Sequence, residues 1–250
     1  MSNKSEKYRN VELFSNEPVG SNPNLWQVEF RCNAIVENLQ QDIEGKDVLD
    51  LGLGYGLIHR RLAACAKSYD IVEGSHVLVE RFRQDEKDIP YLKIFCSYFE
   101  EFQTDKLYDY IIMAGVLELL ENPVDVIKKY SYNLKPTGTL VVSVYNAESL
   151  NRRIGYEAGI LNDIYHLNQT QIDRGWKRYY TLSSMKHDLK MSSFEVVKAE
   201  GIFLKPVTDE QMKTLKFDSS IYTALVKIGK QYPELCWAFY MECIKRIDGA

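Results

Sequence analysis

The chain has 250 residues, of which 45% are hydrophobic and 26% are charged, ordinary values for a globular protein long enough to bury a core. The formal net charge is −4 and the sequence has no basic tract, which argues against nucleic acid as the main partner. Because there is no run of 18 apolar residues and no apolar N-terminal signal, we expect neither a membrane span nor export.

The first elements along the chain are a helix and a strand that ends in glycines. Apolar residues recur at helical spacing over 26–39. Residues 48–56 then read Val-Leu-Asp-Leu-Gly-Leu-Gly-Tyr-Gly, an apolar run typical of a buried parallel strand. Alternate glycines after a strand allow a tight turn that a ligand can approach closely. We predict a helix over 57–66, whose free N–H groups would point at that ligand.

The remaining elements alternate between strand and helix, which predicts a parallel sheet covered by helices. Strands are predicted at 69–75, 91–96, 108–114, 139–144, 194–204 and 236–247. Residues 134–139 are predicted as the loop before the strand at 139–144. Helices are predicted at 148–164 and 221–230.

These patterns resemble the class I S-adenosylmethionine-dependent methyltransferases, and in particular bacterial small-molecule methyltransferases of polysaccharide and natural-product pathways. The resemblance covers residues 47–146, and the spacing G-x-G-x-G differs from the G-x-G-x-x-G of dinucleotide-binding folds. It implies an α/β, Rossmann-like fold with a seven-stranded, mostly parallel sheet, helices on both faces and an antiparallel last strand.

We expect a single methyltransferase domain over 1–250. Its predicted parts are an N-terminal helical cap (1–46), a cofactor-binding core (47–146), an acceptor-site insertion or lid (147–190) and a C-terminal part that completes the sheet (191–250).

The resemblance implies S-adenosyl-L-methionine as the cofactor. Glu73 ends the second strand, about 20 residues beyond the glycine turn, where such a sheet binds ribose hydroxyls. Asp50 either orients the ligand or caps the next helix, and Ser97 and Tyr98 either border the adenine or pack within their loop. The residues predicted to bind the cofactor are Asp50, Gly52, Gly54, Gly56, Glu73, Gly74, Ser97, Tyr98, Phe99, Ala114 and Gly115.

The acceptor side is predicted after the fifth strand and in the insertion. Small-molecule members of the family often carry two histidines where this chain has Leu119 and Trp176, which leaves His166 as the candidate base. Basic residues of the insertion either face solvent or bind an anionic acceptor. The predicted catalytic residues are His166, Tyr145 and Tyr179, and the predicted substrate-binding residues are Asn146, Arg153, Tyr165, Arg178 and Tyr180.

We therefore predict a methyltransferase acting on oxygen or nitrogen of a small, anionic (phosphorylated or nucleotide-linked) metabolite. The alternatives are an RNA or protein methyltransferase and a non-catalytic cofactor-binding scaffold. No catalytic metal is expected, because the acid pairs 100/101 and 118/121 lack a ligand pattern. Five cysteines without a C-x-x-C pair favour a reduced, cytoplasmic protein, and a homodimer is left open.

Overall fold

The computed structural model describes residues 25–85 and 91–246 of the chain. Within these ranges seven strands form one sheet in the order β3-β2-β1-β4-β5-β7-β6. The strands are β1 (Asp47–Leu51), β2 (Ser68–Glu73), β3 (Leu92–Cys96), β4 (Tyr108–Ala114), β5 (Leu134–Tyr145), β6 (Phe194–Ile202) and β7 (Ala238–Lys245). β1 to β5 pair in parallel, whereas β7 runs antiparallel to both β5 and β6. The predicted sheet, with its antiparallel last strand, is confirmed.

Helices cover both faces of the sheet. They are α1 (Leu25–Leu39), α2 (His59–Leu62), α3 (His76–Asp85), α4 (Pro123–Ser131), α5 (Leu150–Glu157), α6 (Gln169–Asp173), α7 (Leu182–Met191), α8 (Asp209–Leu215) and α9 (Ser219–Gly229), with short 3₁₀ turns at Leu117–Leu119 and Pro233–Leu235.

Alternation along the strands divides the core into two layers, because successive strand side chains point to opposite faces. In β1, Val48 packs on the face covered by α1, α3 and α8, whereas Leu49 and Leu51 pack on the face covered by α4 and α7. The residues of β1 are buried on both sides, as the apolar run predicted.

Two predicted helices are shorter in the structure. The helix predicted over 57–66 is only His59–Leu62, because Gly54 and Gly56 adopt positive φ angles of 53° and 77° and keep the chain in a turn until Ile58. The helix predicted over 148–164 ends at Glu157, and Gly159 follows with a φ of 69°.

One predicted loop is part of a strand. β5 begins at Leu134, which pairs with Tyr108, so residues 134–138 belong to the strand. The register shifts between Tyr108 and Tyr110, where Tyr110 pairs with Thr139. Extra residues on β5 are accommodated as an irregularity of the kind that a β-bulge produces, which sequence alternation does not reveal.

The connection from β5 to β6 lies over the carboxyl ends of the central strands. We call residues 147–181 the lid. An isolated bridge joins Asn146 to Tyr180 and so holds the two ends of the lid together. Residues 1–24 of the predicted N-terminal cap lie outside the described residues, and the division of the domain stays a prediction. None of the described helices is both long and apolar enough to cross a membrane.

Candidate active site

A cavity of about 270 Å³ opens at the carboxyl ends of β1, β2 and β4. The turns that follow these strands form one half of its lining, which we call the strand-end half. The lid, β5 and the turn after β4 form the other, which we call the lid half. Ligands of open α/β sheets bind at such strand ends.

The glycine turn after β1 fits closely against the turn after β4. Gly52 has a φ of 94°, and a Cβ atom at this position would lie 2.9 Å from Cγ1 of Val116. Only glycine combines this backbone conformation with this approach. The close packing brings the backbone of the turn to the cavity without a side chain in the way.

The carboxylate of Glu73 fixes the same turn from β2. Its Oε2 accepts the N–H of Leu53 at 2.9 Å, and its Oε1 accepts the N–H of Ser75 at 2.7 Å. A carboxylate accepts up to about four hydrogen bonds, so these two bonds do not by themselves prevent Glu73 from accepting a bond from a ligand hydroxyl. Glu73 is buried and lines the cavity.

Asp50 places a second carboxyl in the strand-end half. It is buried, and its Oδ2 accepts the hydroxyl of Tyr69 at 2.8 Å. Burial raises the pKa of Asp50 to about 7, although the bond from Tyr69 opposes the shift. A positive charge in the cavity would favour the ionised form of this carboxyl.

Arg31 of α1 also reaches the cavity, and the sequence reasoning missed it. Its guanidinium lies so close to Gly115 that a Cβ there would be 2.5 Å from Nη1, and it lies 4.8 Å from the ring centre of Tyr145. Nε and Nη1 are buried and have no hydrogen-bond partner among the described residues. The available signal was an arginine within the apolar stripe that Val28 and Ile35 form on the same helix.

Aromatic rings and cations form the lid half of the cavity. The ring of Trp176 lies 4.7 Å from that of Tyr145 and 5.3 Å from that of Tyr179, measured between centres. Arg174 and Lys177 line the cavity beside them. Trp176, Lys177 and Arg174 belong to the predicted acceptor-site insertion, but they were not among the predicted site residues.

The structure brings some predicted site residues to the cavity and leaves others away from it. The cavity lining includes Asp50, Gly52, Gly54, Glu73, Gly74, Tyr98, Phe99, Ala114, Gly115 and Tyr145. Within the described ranges it does not include Gly56, Ser97, Asn146, Arg153, Tyr165, His166, Tyr179, Arg178 or Tyr180. Tyr165 and His166 are exposed on the lid.

Several of these residues donate hydrogen bonds to backbone carbonyls instead. Nε of Arg153 donates to the carbonyl of Glu148 at 2.8 Å, and Nη2 of Arg178 donates to the carbonyls of Leu120 and Glu121, each at 2.9 Å. The amide of Asn146 donates to the carbonyls of residues 234 and 236. Carbonyl groups in irregular segments need such donors. An acceptor phosphate at Arg153 or Arg178 would have to share these donors.

Comparison with protein families decides what kind of protein this is. A family model described as a methyltransferase domain matches residues 27–199. The chain belongs to this methyltransferase family. The match extends from α1, which carries Arg31, through the lid to β6.

The methyltransferase resembles curated proteins and solved structures of the same kind. It is 26% identical over 204 residues to the ubiquinone biosynthesis O-methyltransferase of Rickettsia felis, covering 78% of this chain and 81% of that protein. A structure of the 1,6-didemethyltoxoflavin N1-methyltransferase of Burkholderia thailandensis, with 1,6-didemethyltoxoflavin and S-adenosylhomocysteine bound, has a TM-score of 0.64 at 13% identity, covering 97% of this chain and 90% of that one. The N-methyltransferase NodS of Bradyrhizobium japonicum, also with S-adenosylhomocysteine, has a TM-score of 0.60 at 14% identity, covering 96% and 98%.

The cofactor of this methyltransferase is S-adenosylmethionine, and the residues at the cavity fit it. The Gly52 turn leaves backbone space, and Glu73 stands at the end of β2. Arg31 offers N–H groups that have no partner among the described residues and are of a kind that binds a carboxylate. Asp50 adds a carboxyl suited to a cationic ligand. Which of these residues contact the cofactor stays a prediction. In the described residues, no three His, Cys, Asp or Glu side chains are grouped as metal ligands.

Proposed function

We propose that this methyltransferase transfers a methyl group to an oxygen or nitrogen atom of a small anionic molecule, such as a phosphorylated or nucleotide-linked metabolite. The acceptor would lie in the lid half of the cavity. There it would contact the rings of Tyr145 and Trp176 on one side and the cations of the lid on the other.

The charge distribution along the cavity is the observation that supports this proposal most directly. Asp50, Glu73 and Glu100 line the strand-end half, whereas Arg174 and Lys177 line the lid half. Nζ of Lys177 lies 2.6 Å from a carboxylate oxygen of Glu121, which also lines the lid half. A cationic cofactor is favoured at the acidic end and an anionic acceptor at the basic end.

The chain's own residues would act by binding and orientation. Bound S-adenosylmethionine supplies a methyl group on a positively charged sulfonium. Glu73 and Arg31 would hold the two ends of the cofactor, and Tyr145 and Trp176 would hold the acceptor against it. Precise orientation contributes up to about 7–11 kcal/mol to barrier reduction, so a neutral amine or an ionised hydroxyl acceptor requires no histidine base.

The sequence relatives support oxygen as the accepting atom. Curated proteins that the chain matches include ubiquinone biosynthesis O-methyltransferases, at identities of 22–28%. Planar aromatic acceptors would suit the ring of Trp176, since aromatic rings pair favourably at centre separations of about 4.5–7 Å.

A panel of acceptors with labelled cofactor tests the proposal. The panel contains dihydroxybenzoates, sugar phosphates and nucleotide sugars, each with an uncharged counterpart such as catechol or the free sugar. We expect methylation of an anionic member, with a kcat/KM at least about tenfold above that of its uncharged counterpart. Lys177→Ala should reduce this preference, whereas Lys190→Ala, a change on α7, should not. Equal use of charged and uncharged acceptors would refute the anionic class, and turnover of RNA or protein alone would refute a small acceptor.

We also propose that the protein acts in the cytoplasm. None of its five cysteines forms a disulfide in the structure, and three of them are buried. Cysteines kept outside disulfides are typical of proteins from reducing compartments.

A further inference from the structure

Glu118 is a buried acid that the proposed binding roles do not use. It lies in the 3₁₀ turn after β4 and is fully buried. Its Oε1 accepts the backbone N–H of Tyr145 at 2.8 Å, across the sheet from its own strand. Its backbone carbonyl accepts the N–H of Lys177 from the lid, also at 2.8 Å. A single residue thus joins β4, the end of β5 and the lid.

We propose that Glu118 is a positioning residue for methyl transfer, which fixes the end of β5 and the adjoining lid so that Tyr145 and Trp176 hold the acceptor in line with the cofactor. The inference rests on the acceptor position proposed above. Glu118 does not line the cavity, so it acts through Tyr145 and Lys177 and does not touch the acceptor in this arrangement.

The position of the hydrogen bond explains why a carboxylate is needed there. Tyr145 is the last residue of β5, and beyond it the chain turns into the lid. At this point the neighbouring strand β4 has already ended, at Ala114. The side chain of Glu118 thus supplies an acceptor where the sheet no longer does. A charged acceptor forms a stronger bond to an N–H than a neutral one.

The charged groups around Glu118 define how its ionisation affects the site. Arg31 of α1 interacts electrostatically with Glu118, as do Tyr145 at the end of β5 and Tyr179 and Tyr180 of the lid. The pKa values of all three tyrosines are raised by burial, so these rings stay neutral around pH 7, and Arg31 stays positive. Burial raises the pKa of Glu118 to about 7, while the bond from Tyr145 and the charge of Arg31 oppose the shift. The ionised form, present above this pH, is the form that holds the Tyr145 N–H most strongly.

Three variants test the inference. Glu118→Leu removes the hydrogen bond with little change in volume, and Glu118→Gln keeps an acceptor oxygen that does not titrate. Glu195→Gln, an exposed acid on β6, is the matched control. The readouts are amide exchange at residues 145 and 177, the dissociation constant for S-adenosylhomocysteine, and kcat at saturating cofactor and acceptor at pH 6 and pH 8. The acceptor is the compound with the highest turnover in the panel above.

We expect Glu118→Leu to lose exchange protection at Tyr145 and to lower kcat about 10–100-fold, the effect of misplacing a reactant by roughly 1 Å. Its affinity for S-adenosylhomocysteine should change less than about threefold, which separates positioning from cofactor binding. Glu118→Gln, whose neutral oxygen accepts a weaker bond, should restore part of the protection and part of kcat at pH 8. Because protonated Glu118 likewise offers only a neutral oxygen, kcat of wild type and of the control should fall towards that of Glu118→Gln from pH 8 to pH 6, whereas kcat of Glu118→Gln should not change.

Other outcomes contradict the inference. Unchanged amide exchange at Tyr145 in Glu118→Leu would overturn the inference, and this measurement needs no acceptor. Failure of every panel compound to be methylated would refute the proposed function separately. Wild-type kcat in Glu118→Leu, or a Gln variant as impaired as the Leu variant at pH 8, would also overturn it. If the Leu variant does not fold, the pH dependence of the Gln variant decides alone.

Discussion

The carboxyl of Asp50 shows how burial at a single residue sets a property of the site. Its pKa lies at about 7 because it is buried, and a cofactor sulfonium in the same cavity favours the ionised form. Binding of the cofactor therefore releases a proton from Asp50 when the pH is below about 7. Affinity for the cofactor should rise as the pH rises.

We predict that the affinity of wild type for S-adenosylmethionine rises about tenfold from pH 6 to pH 8, as expected for one linked proton with a pKa of about 7. Asp50→Asn, which keeps the shape of the side chain but does not titrate, should bind with little dependence on pH. Calorimetric titration at both pH values, in two buffers of different ionisation enthalpy, measures the affinity and the released proton together. A variant that keeps the full pH dependence of wild type would contradict the role of Asp50.

The sequence could predict a residue's place at the cavity where that place follows from a local pattern. Gly52, Asp50 and Glu73 follow directly from strand ends, and all three line the cavity. Arg31 was missed because its place in the cavity depends on how α1 docks across the sheet, which no local pattern specifies. For Arg153, the sequence shows a cation but not its partner, which could be a bound ligand or a backbone carbonyl.

The lid is held to the turn after β4 by bonds at consecutive residues. Lys177 donates its N–H to Glu118, and Arg178 donates Nη2 to the carbonyls of Leu120 and Glu121. A guanidinium spans two carbonyls in a way that a lysine ammonium does not reproduce. Arg178 is therefore expected to hold the lid at the turn after β4 for every acceptor, charged or not.

We predict that Arg178→Lys raises the KM of anionic and uncharged acceptors by a similar factor, about 5–30-fold for the loss of one or two hydrogen bonds. The affinity for S-adenosylhomocysteine should stay within about threefold of wild type. Steady-state kinetics with one acceptor of each charge class makes the comparison, and Lys177→Ala serves as the variant expected to affect anionic acceptors selectively. If only the anionic acceptor loses affinity in Arg178→Lys, the arginine binds the acceptor itself, as the sequence predicted.

The sequence predicted the elements of the sheet better than those of the lid. Buried strands are specified by apolar runs, and their alternation with helices predicts that they pair in parallel. The lid contains short helices, Leu150–Glu157 and Gln169–Asp173, joined by irregular chain. Its conformation depends on long-range bonds such as that from Arg152 to the carbonyl of Ile164, which periodicity does not report.

At the scale of the whole molecule, the two ends of the sheet have different tasks. The carboxyl ends of the strands carry the cavity, whereas the opposite end is held by ion pairs. There Lys135 donates to Asp47 at 3.0 Å and to Asp109 at 2.8 Å, and the hydroxyl of Ser68 donates to Asp47 at 2.8 Å. Burial opposes ionisation of the two acids, but these hydrogen bonds outweigh it and lower the pKa of both.

We predict that Lys135→Met lowers the free energy of unfolding by about 1 kcal/mol at pH 7, a small value because the lysine is partly exposed. Since the folded-state pKa values of the acids are lowered, their contribution is present above the unfolded pKa of about 4 and is lost as the pH falls below it. The difference between variant and wild type should therefore shrink towards about pH 3. Urea denaturation at both pH values tests this, and a difference that persists at pH 3 would point to lost packing instead.

The central claim is that the cavity at the strand ends binds S-adenosylmethionine with Glu73 at the ribose. Calorimetric titration of wild type, Glu73→Ala and the control Glu195→Ala with S-adenosylhomocysteine tests it most directly. We predict one-to-one binding to wild type and the control, and a loss of about 2–4 kcal/mol in Glu73→Ala, because two charge-assisted hydrogen bonds disappear. Circular dichroism must show that the variant is folded, since Glu73 also holds the N–H groups of Leu53 and Ser75. Affinity equal to that of wild type in a folded Glu73→Ala would contradict the account.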